Sequence, residues 1–277
     1  MCFGKSIELF WVNGTSDGII TAELSNWNGK GIKIPRTELL SCQRKDICGT
    51  GVYFLLCQED DGTDSVYIGE AENVYERLCQ HIYDYKSGKE TYYWNTAISF
   101  VGRDLNKALI RYVENRLVEI AKECNRYNIL TKSTYKNTVI KESHRASMDE
   151  FISNLSVLLN AMGYKILVPI PTPTINTVYL YCKSGQAEAK GFISPGGFTV
   201  MEGSKVSDHL AASFQNGAKS YYELRKKLEA DGTIVDGFFK KNYEFSAPSA
   251  ASSVVLGRSS NGKNEWKTEQ GVNLFKV

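Results

Sequence analysis

Five side chains in the first half of the chain have types and spacing suited to chemistry: Tyr53, Tyr67, Arg77, His81 and Glu114. The first four fall within residues 51–81, GVYFLLCQEDDGTDSVYIGEAENVYERLCQH. Each tyrosine sits inside a strand-like run, and Arg77 and His81 stand four residues apart, so they share a face of the helix that follows. A guanidinium can grip an anion through two donors, and an imidazole can move a proton near neutral pH. Glu114 lies on the border of the apolar stripe of a later helix, where a carboxylate costs free energy unless it is paired, so it needs a cation. Taken singly, each has an ordinary role: an Arg–His pair on a helix surface, a tyrosine in a core, a glutamate beside an arginine. The ordered set carries the weight.

The elements that must position these groups are readable from periodicity. Val52 to Cys57 is continuously apolar, as in a strand covered on both faces, and an acidic turn returns the chain through Val66-Tyr67-Ile68-Gly69. Gly69 marks a place where backbone must approach something closely or turn sharply. Val74, Leu78 and Ile82 form the buried stripe of the next helix, with Arg77 and His81 flanking it. Residues 91–101 read as a third strand. A long helix then starts at Asp104 or Asn106 as N-cap and runs to about Tyr127, burying Leu109, Ile110, Val113, Leu117, Ile120, Ala121 and Cys124. Gly49-Thr50-Gly51 precedes a strand and no helix follows directly, which argues against a nucleotide-phosphate loop.

Around this unit, residues 1–48 read as a β-meander extension, short strands punctuated by Asn13-Gly14 and by the turn 26–31, with Trp11 and Trp27 as its core. Residues 49–141 form the central domain and residues 142–168 a connecting amphipathic helix. Pro169, Pro171 and Pro173 then mark an extended boundary, and residues 169–277 read as a separate α+β module whose core includes Val254, Val255, Leu256 and Trp266.

Composition limits the classes. The chain has 277 residues, 42% of them hydrophobic, and a formal charge of +2, too apolar to be disordered and too long for one comfortable domain. No run reaches the roughly 20 apolar residues of a bilayer span, and the first residues lack the apolar segment of a signal peptide, so a soluble, cytoplasmic protein without a membrane partner is expected. Seven cysteines without C-x-x-C spacing read as reduced thiols, and three scattered histidines do not suggest zinc. Residues 51–102 carry nine acidic and three basic side chains, whereas residues 103–145 carry ten basic and five acidic. The second segment is either a solvated helix face or a phosphate-tracking surface.

Gly51-Val52-Tyr53, Val66-Tyr67-Ile68-Gly69, Arg77 and a helical Glu114 together resemble the GIY-YIG nuclease superfamily, with Val52 in place of the central isoleucine and thirteen residues between the tyrosines. The C-terminal region, residues 169–277, with Gly197-Phe198, Gly203-Ser204, Leu224-Arg225 and Ser246 to Gly257, resembles the domain of unknown function DUF4357. The first resemblance implies an α+β fold with a small central antiparallel sheet flanked by helices, and a metal-dependent endonuclease acting on DNA. It implies that Glu114 is the sole protein ligand of Mg2+ or Mn2+, a hard ion that keeps most of its waters. It also implies that Arg77 binds a non-bridging phosphate oxygen, that Tyr53 orients or deprotonates the attacking water, and that Tyr67 positions the phosphate. His81 is then the natural acceptor for the Tyr53 proton. Asn128 and Asn137 are both candidates for a late active-site asparagine. Arg111, Arg225, Lys226, Lys227 and Arg258 are the expected nucleic-acid contacts, and the C-terminal module is a candidate for substrate targeting. The competing reading is a degenerate module that binds nucleic acid or protein without cutting.

Overall fold

The computed structural model describes residues 4–58, 64–132 and 139–276. The centre of the acidic turn (59–63) and Asn137 lie outside them. The chain divides into two compact units, Met1–Pro169 and Ile170–Val277.

The first unit is built on strands β1 (Ile7–Trp11), β2 (Ile20–Leu24), β3 (Gly29–Pro35), β4 (Gly51–Gln58), β5 (Asp64–Ala71), β6 (Trp94–Gly102) and β7 (Asn128–Ile129). Helices α1 (Arg36–Leu39), α2 (Val74–Lys86), α3 (Lys107–Cys124) and α4 (Glu142–Ala161) accompany them. The seven strands form one sheet in the order β1-β2-β3-β6-β4-β5-β7. All neighbours are antiparallel except β5 and β7, which are parallel.

This corrects the expectation of a small antiparallel sheet with a separate N-terminal extension. β3 pairs with β6 from Gly29↔Gly102 to Pro35↔Thr96, so the meander widens the central sheet instead of closing on itself. Trp11 is 44% exposed and is no core residue, whereas Trp27 packs on Phe151 of α4 with ring centroids 5.0 Å apart. The helix expected to be a connector also belongs to this unit: Phe151, Ile152, Leu155 and Leu158 join Ile110, Val113 and Leu117 of α3 in one core.

Strand alternation sorts β4 between two cores. Val52, Phe54 and Leu56 face α3 and α4, while Tyr53, Leu55 and Cys57 face a second core with Val74, Leu78 and Ile82 of α2. Both faces are covered, which is why the strand is apolar throughout.

The second unit holds β8 (Leu180–Ser184), β9 (Ala187–Ser194), β10 (Gly197–Val200), α5 (Ala212–Gly217), α6 (Lys219–Ala230), β11 (Ile234–Val235), β12 (Phe238–Phe239), β13 (Tyr243–Phe245), α7 (Pro248–Leu256) and α8 (Gly262–Glu265). Its four-stranded sheet runs β13-β10-β9-β8. From Ala250 to Leu256, α7 is buried all round, and Phe198 packs on Trp266 with centroids 4.4 Å apart. A helix buried on every side needs an apolar, small-residue sequence, and AASSVVL supplies one. α5 and α6 follow one another across a break at Ala218.

Candidate active site

The two tyrosines reach the same place from adjacent strands. Tyr53 of β4 stands opposite Gly69 of β5 in the ladder. A Cβ on Gly69 would lie 2.5 Å from the Tyr53 hydroxyl and 2.9 Å from the Tyr67 ring, so only glycine lets the phenols converge there. The close approach expected at Gly69 is therefore to a side chain, and β5 continues past it to Ala71. Gly51 has a separate reason: its Cβ would lie 2.1 Å from the Phe100 carbonyl oxygen on the neighbouring strand. The Tyr53 and Tyr67 rings stack with centroids 6.2 Å apart, and Tyr92 extends the stack at 5.8 Å from Tyr67. Burial raises the pKa of both phenols, and the Arg77 guanidinium beside them opposes the rise.

α2 begins where the Asn73 side chain accepts from the Glu76 amide. Its buried stripe pins the helix against the sheet, leaving Arg77 half-buried at the cleft and 4.0 Å from Asp84. One turn further on, His81 is fully buried. Its Nε2 lies 2.8 Å from the Tyr53 hydroxyl and its Nδ1 contacts Glu90 Oε1. Burial, with Arg77 and Arg36 nearby, depresses the His81 pKa to about 3, so the ring is neutral at physiological pH. Burial and Asp84 push Glu90 upward.

α3 is capped by Asn106, whose side chain accepts from the Ala108 and Leu109 amides. It carries Glu114 beyond the border position expected of it: the residue is 6% exposed, and its Oε2 is buried without a hydrogen-bond partner. Burial first, and Glu70 second, raise its pKa to about 7, with Lys107 and Arg111 opposing. Tyr53, Tyr67, Arg77 and Glu114, from four different elements, line one cleft of about 830 Å³, together with Glu70, Lys107 and Gln80 among others.

The remaining expected residues fare differently. Arg111 is half-buried beside Glu70, 3.8 Å from its carboxylate. Asn128 donates to the Ser65 hydroxyl on β5 and does not line the cleft. Arg225 is corrected outright. Only 4% exposed, it donates to Glu229, to the Val254 carbonyl and to the Ser207 carbonyl, so it braces the second unit from inside and offers nothing to a nucleic acid. Lys226 is exposed and paired with Glu229, Lys227 is half-exposed, and Arg258 is paired with Glu265.

Sequence reasoning missed Glu70, Lys107 and Glu90. Lys107 precedes Glu114 by seven residues on one helix, a spacing that places both on one face and could have been found. Glu70 faces the cleft because β5 stays regular beyond Gly69; its carboxylate is 2.9 Å from Lys107. Glu90 lies in a turn, and no periodicity signals it.

Among the described residues no helix is long and apolar enough to cross a membrane, and no group of three or more His, Cys, Asp or Glu side chains could hold a metal ion. Residues 180–277 match the family model described as a domain of unknown function, DUF4357. No curated protein and no solved structure matches the chain. The second unit thus carries a DUF4357 domain, while the cleft lies in the first.

Proposed function

We propose that the cleft hydrolyses DNA phosphodiester bonds, as the resemblance to GIY-YIG nucleases implies. The observation that supports this best is the convergence of Tyr53, Tyr67, Arg77 and Glu114 on one cleft from β4, β5, α2 and α3. Glu114 suits a Mg2+ or Mn2+ ion: its orphaned Oε2 and raised pKa mark a buried carboxylate in need of a cation. Glu114 would hold the ion, a hard cation that takes carboxylate and water oxygens. Such an ion, when bound, neutralises charge developing on the phosphate and the leaving oxygen.

The chain's own residues divide the remaining work. Arg77 grips a non-bridging oxygen through its planar fork and stabilises charge that grows in the transition state. Tyr67, stacked between Tyr53 and Tyr92, orients the phosphate with its hydroxyl. Tyr53 orients the attacking water and passes its own proton to His81 Nε2, 2.8 Å away. Because burial raises the Tyr53 pKa, the phenol does not ionise ahead of the reaction; its proton leaves as another arrives from water. In this reading Lys226, Lys227 and Arg258 of the second unit add contacts that target the substrate.

One observation weighs against cutting by the cleft's own side chains. Four carboxylates (Glu70, Glu72, Glu76 and Glu114) line the cleft against two cations, Arg77 and Lys107, a balance that repels phosphate unless a metal ion offsets it. The two readings separate in one experiment: wild type, Arg77→Ala and Glu114→Ala on plasmid and single-stranded DNA with Mg2+. The nuclease reading requires new DNA termini from wild type and their loss in both variants. DNA shifted by wild type without new termini supports the binder, and a variant as fast as wild type overturns the site.

A further inference from the structure

Behind Tyr53 the cleft is backed by a chain of three side chains that ends away from the opening. Tyr53 Oη, His81 Nε2, His81 Nδ1 and Glu90 Oε1 follow one another through the core, the first step being 2.8 Å and the last a direct contact. Tyr53 is 1% exposed and His81 is fully buried, so water does not compete for the imidazole. The turn after α2 supplies Glu90: the Lys89 and Glu90 amides both donate to the Asp84 carbonyl, folding the turn back beneath the histidine. Glu90 Oε2 is buried without a partner, and the carboxylate is met by His81 Nδ1 and by the Tyr92 hydroxyl, which donates to it.

A neutral imidazole carries one ring proton, and its location decides which way the Tyr53 hydrogen bond runs. With the proton on Nδ1, the ring donates to Glu90 and its Nε2 lone pair accepts from the Tyr53 hydroxyl. With the proton on Nε2, the ring donates to the phenol oxygen and cannot take a proton from it. We infer that Glu90 is a positioning residue that holds His81 in the Nδ1–H tautomer and so makes it the acceptor for Tyr53. This rests on the nuclease reading for its use and on geometry alone for its existence. Water gives one proton to Tyr53 Oη as Tyr53 gives its own to His81 Nε2. The hydroxide bonds to phosphorus as the bond from phosphorus to the leaving oxygen breaks, and that alkoxide takes a proton from solvent water. The imidazolium, its Nδ1–H on Glu90, returns its Nε2 proton through Tyr53 to the hydroxide left in solvent. A carboxylate behind an imidazole fixes the tautomer and leaves the far nitrogen as the acceptor, opposing the loss of basicity that burial imposes on His81.

The test reads the tautomer directly. Long-range 1H–15N spectra are recorded at pH 8 on the full chain labelled with 15N-histidine, in a His144→Gln, His209→Gln background that leaves His81 as the sole signal. The charged and titratable groups facing the ring and Glu90 are Arg36, Tyr53, Tyr67, Arg77, Asp84 and Tyr92, and all are retained in the reference protein and in the variant. The expected spectrum has a protonated Nδ1 and a bare Nε2. Glu90→Met, which keeps the length and removes the acceptor, moves the population toward Nε2–H. In parallel, single-turnover cleavage of an oligonucleotide with Mg2+ falls about 10- to 100-fold in Glu90→Met, with KM unchanged. An Nε2–H tautomer in the reference protein overturns the inference without any variant. So does an unaltered tautomer in Glu90→Met, or an unaltered cleavage rate in a protein that cleaves. Should wild type cleave nothing, the nuclease reading fails, and the tautomer comparison alone decides the role of Glu90.

Discussion

Replacing Glu114 with glutamine removes a buried carboxylate whose pKa stands at about 7 against an ordinary 4.5. A group raised in the folded state contributes stability that is fully present below its unfolded pKa and is lost as pH rises through the folded one. The shift corresponds to about 3 kcal/mol at about 1.4 kcal/mol per pKa unit, a ceiling because the cleft admits water. In EDTA at pH 8.5, Glu114→Gln therefore stabilises the first unit by about 1–3 kcal/mol, or roughly 2–4 °C in melting temperature per kcal/mol. At pH 4.5, where the wild-type carboxyl is protonated, the two proteins melt within about 0.5 kcal/mol of each other. Calorimetry at both pH values checks this, and saturating Mg2+ should stabilise wild type alone. A glutamine variant less stable than wild type at pH 8.5, or a gain equal at both pH values, refutes the claim that Glu114 is an uncompensated carboxylate waiting for a cation.

Other consequences follow from the same packing. Gly69→Ala forces a methyl within 2.5 Å of the Tyr53 hydroxyl; it should cost about 1–3 kcal/mol by denaturant unfolding and lower cleavage with it, and a neutral, fully active variant would contradict the close approach. Arg225→Ala removes the donors to Glu229, Val254 and Ser207; it should destabilise the second unit by about 2–3 kcal/mol and leave DNA affinity at fixed salt unchanged, whereas exposed Lys226→Ala should be neutral in stability. His81, depressed to about 3, favours the folded state fully above its ordinary value of 6.5 and loses that contribution as pH falls toward 3. Unfolding followed across that window should show an acid limb that flattens in His81→Gln; an unchanged limb would contradict a neutral, buried ring.

Much of the site was legible because local pattern and burial agree there. The apolar run of β4, the return through Tyr67 to Gly69 and the stripe of Val74, Leu78 and Ile82 each specify one element and one face, and together they fix where Tyr53, Tyr67, Arg77 and His81 point. The late helix was legible for the same reason, although periodicity placed Glu114 at an edge and the added cover of β5 buries it. What was not legible is non-local. The pairing of β3 with β6 joins residues about seventy positions apart, and the residues of a meander that closes on itself and one that widens a sheet look alike. Arg225 sits among charged neighbours in YYELRKKLEA, and its burial depends on the Val254 and Ser207 carbonyls arriving from elsewhere. Glu90 depends on the Asp84 carbonyl gathering a turn. Neither signal exists in a window of sequence.

The central claim is that the cleft cuts phosphodiester bonds with Glu114 holding the ion. Its most direct test is single-turnover cleavage of end-labelled single- and double-stranded DNA by the full chain with Mg2+, wild type beside Glu114→Gln. Wild type should generate discrete new termini, and the variant should be slower by about 100-fold or more while still binding the substrate. No cleavage of either substrate with Mg2+ or Mn2+, or equal rates from the two proteins, would contradict the account.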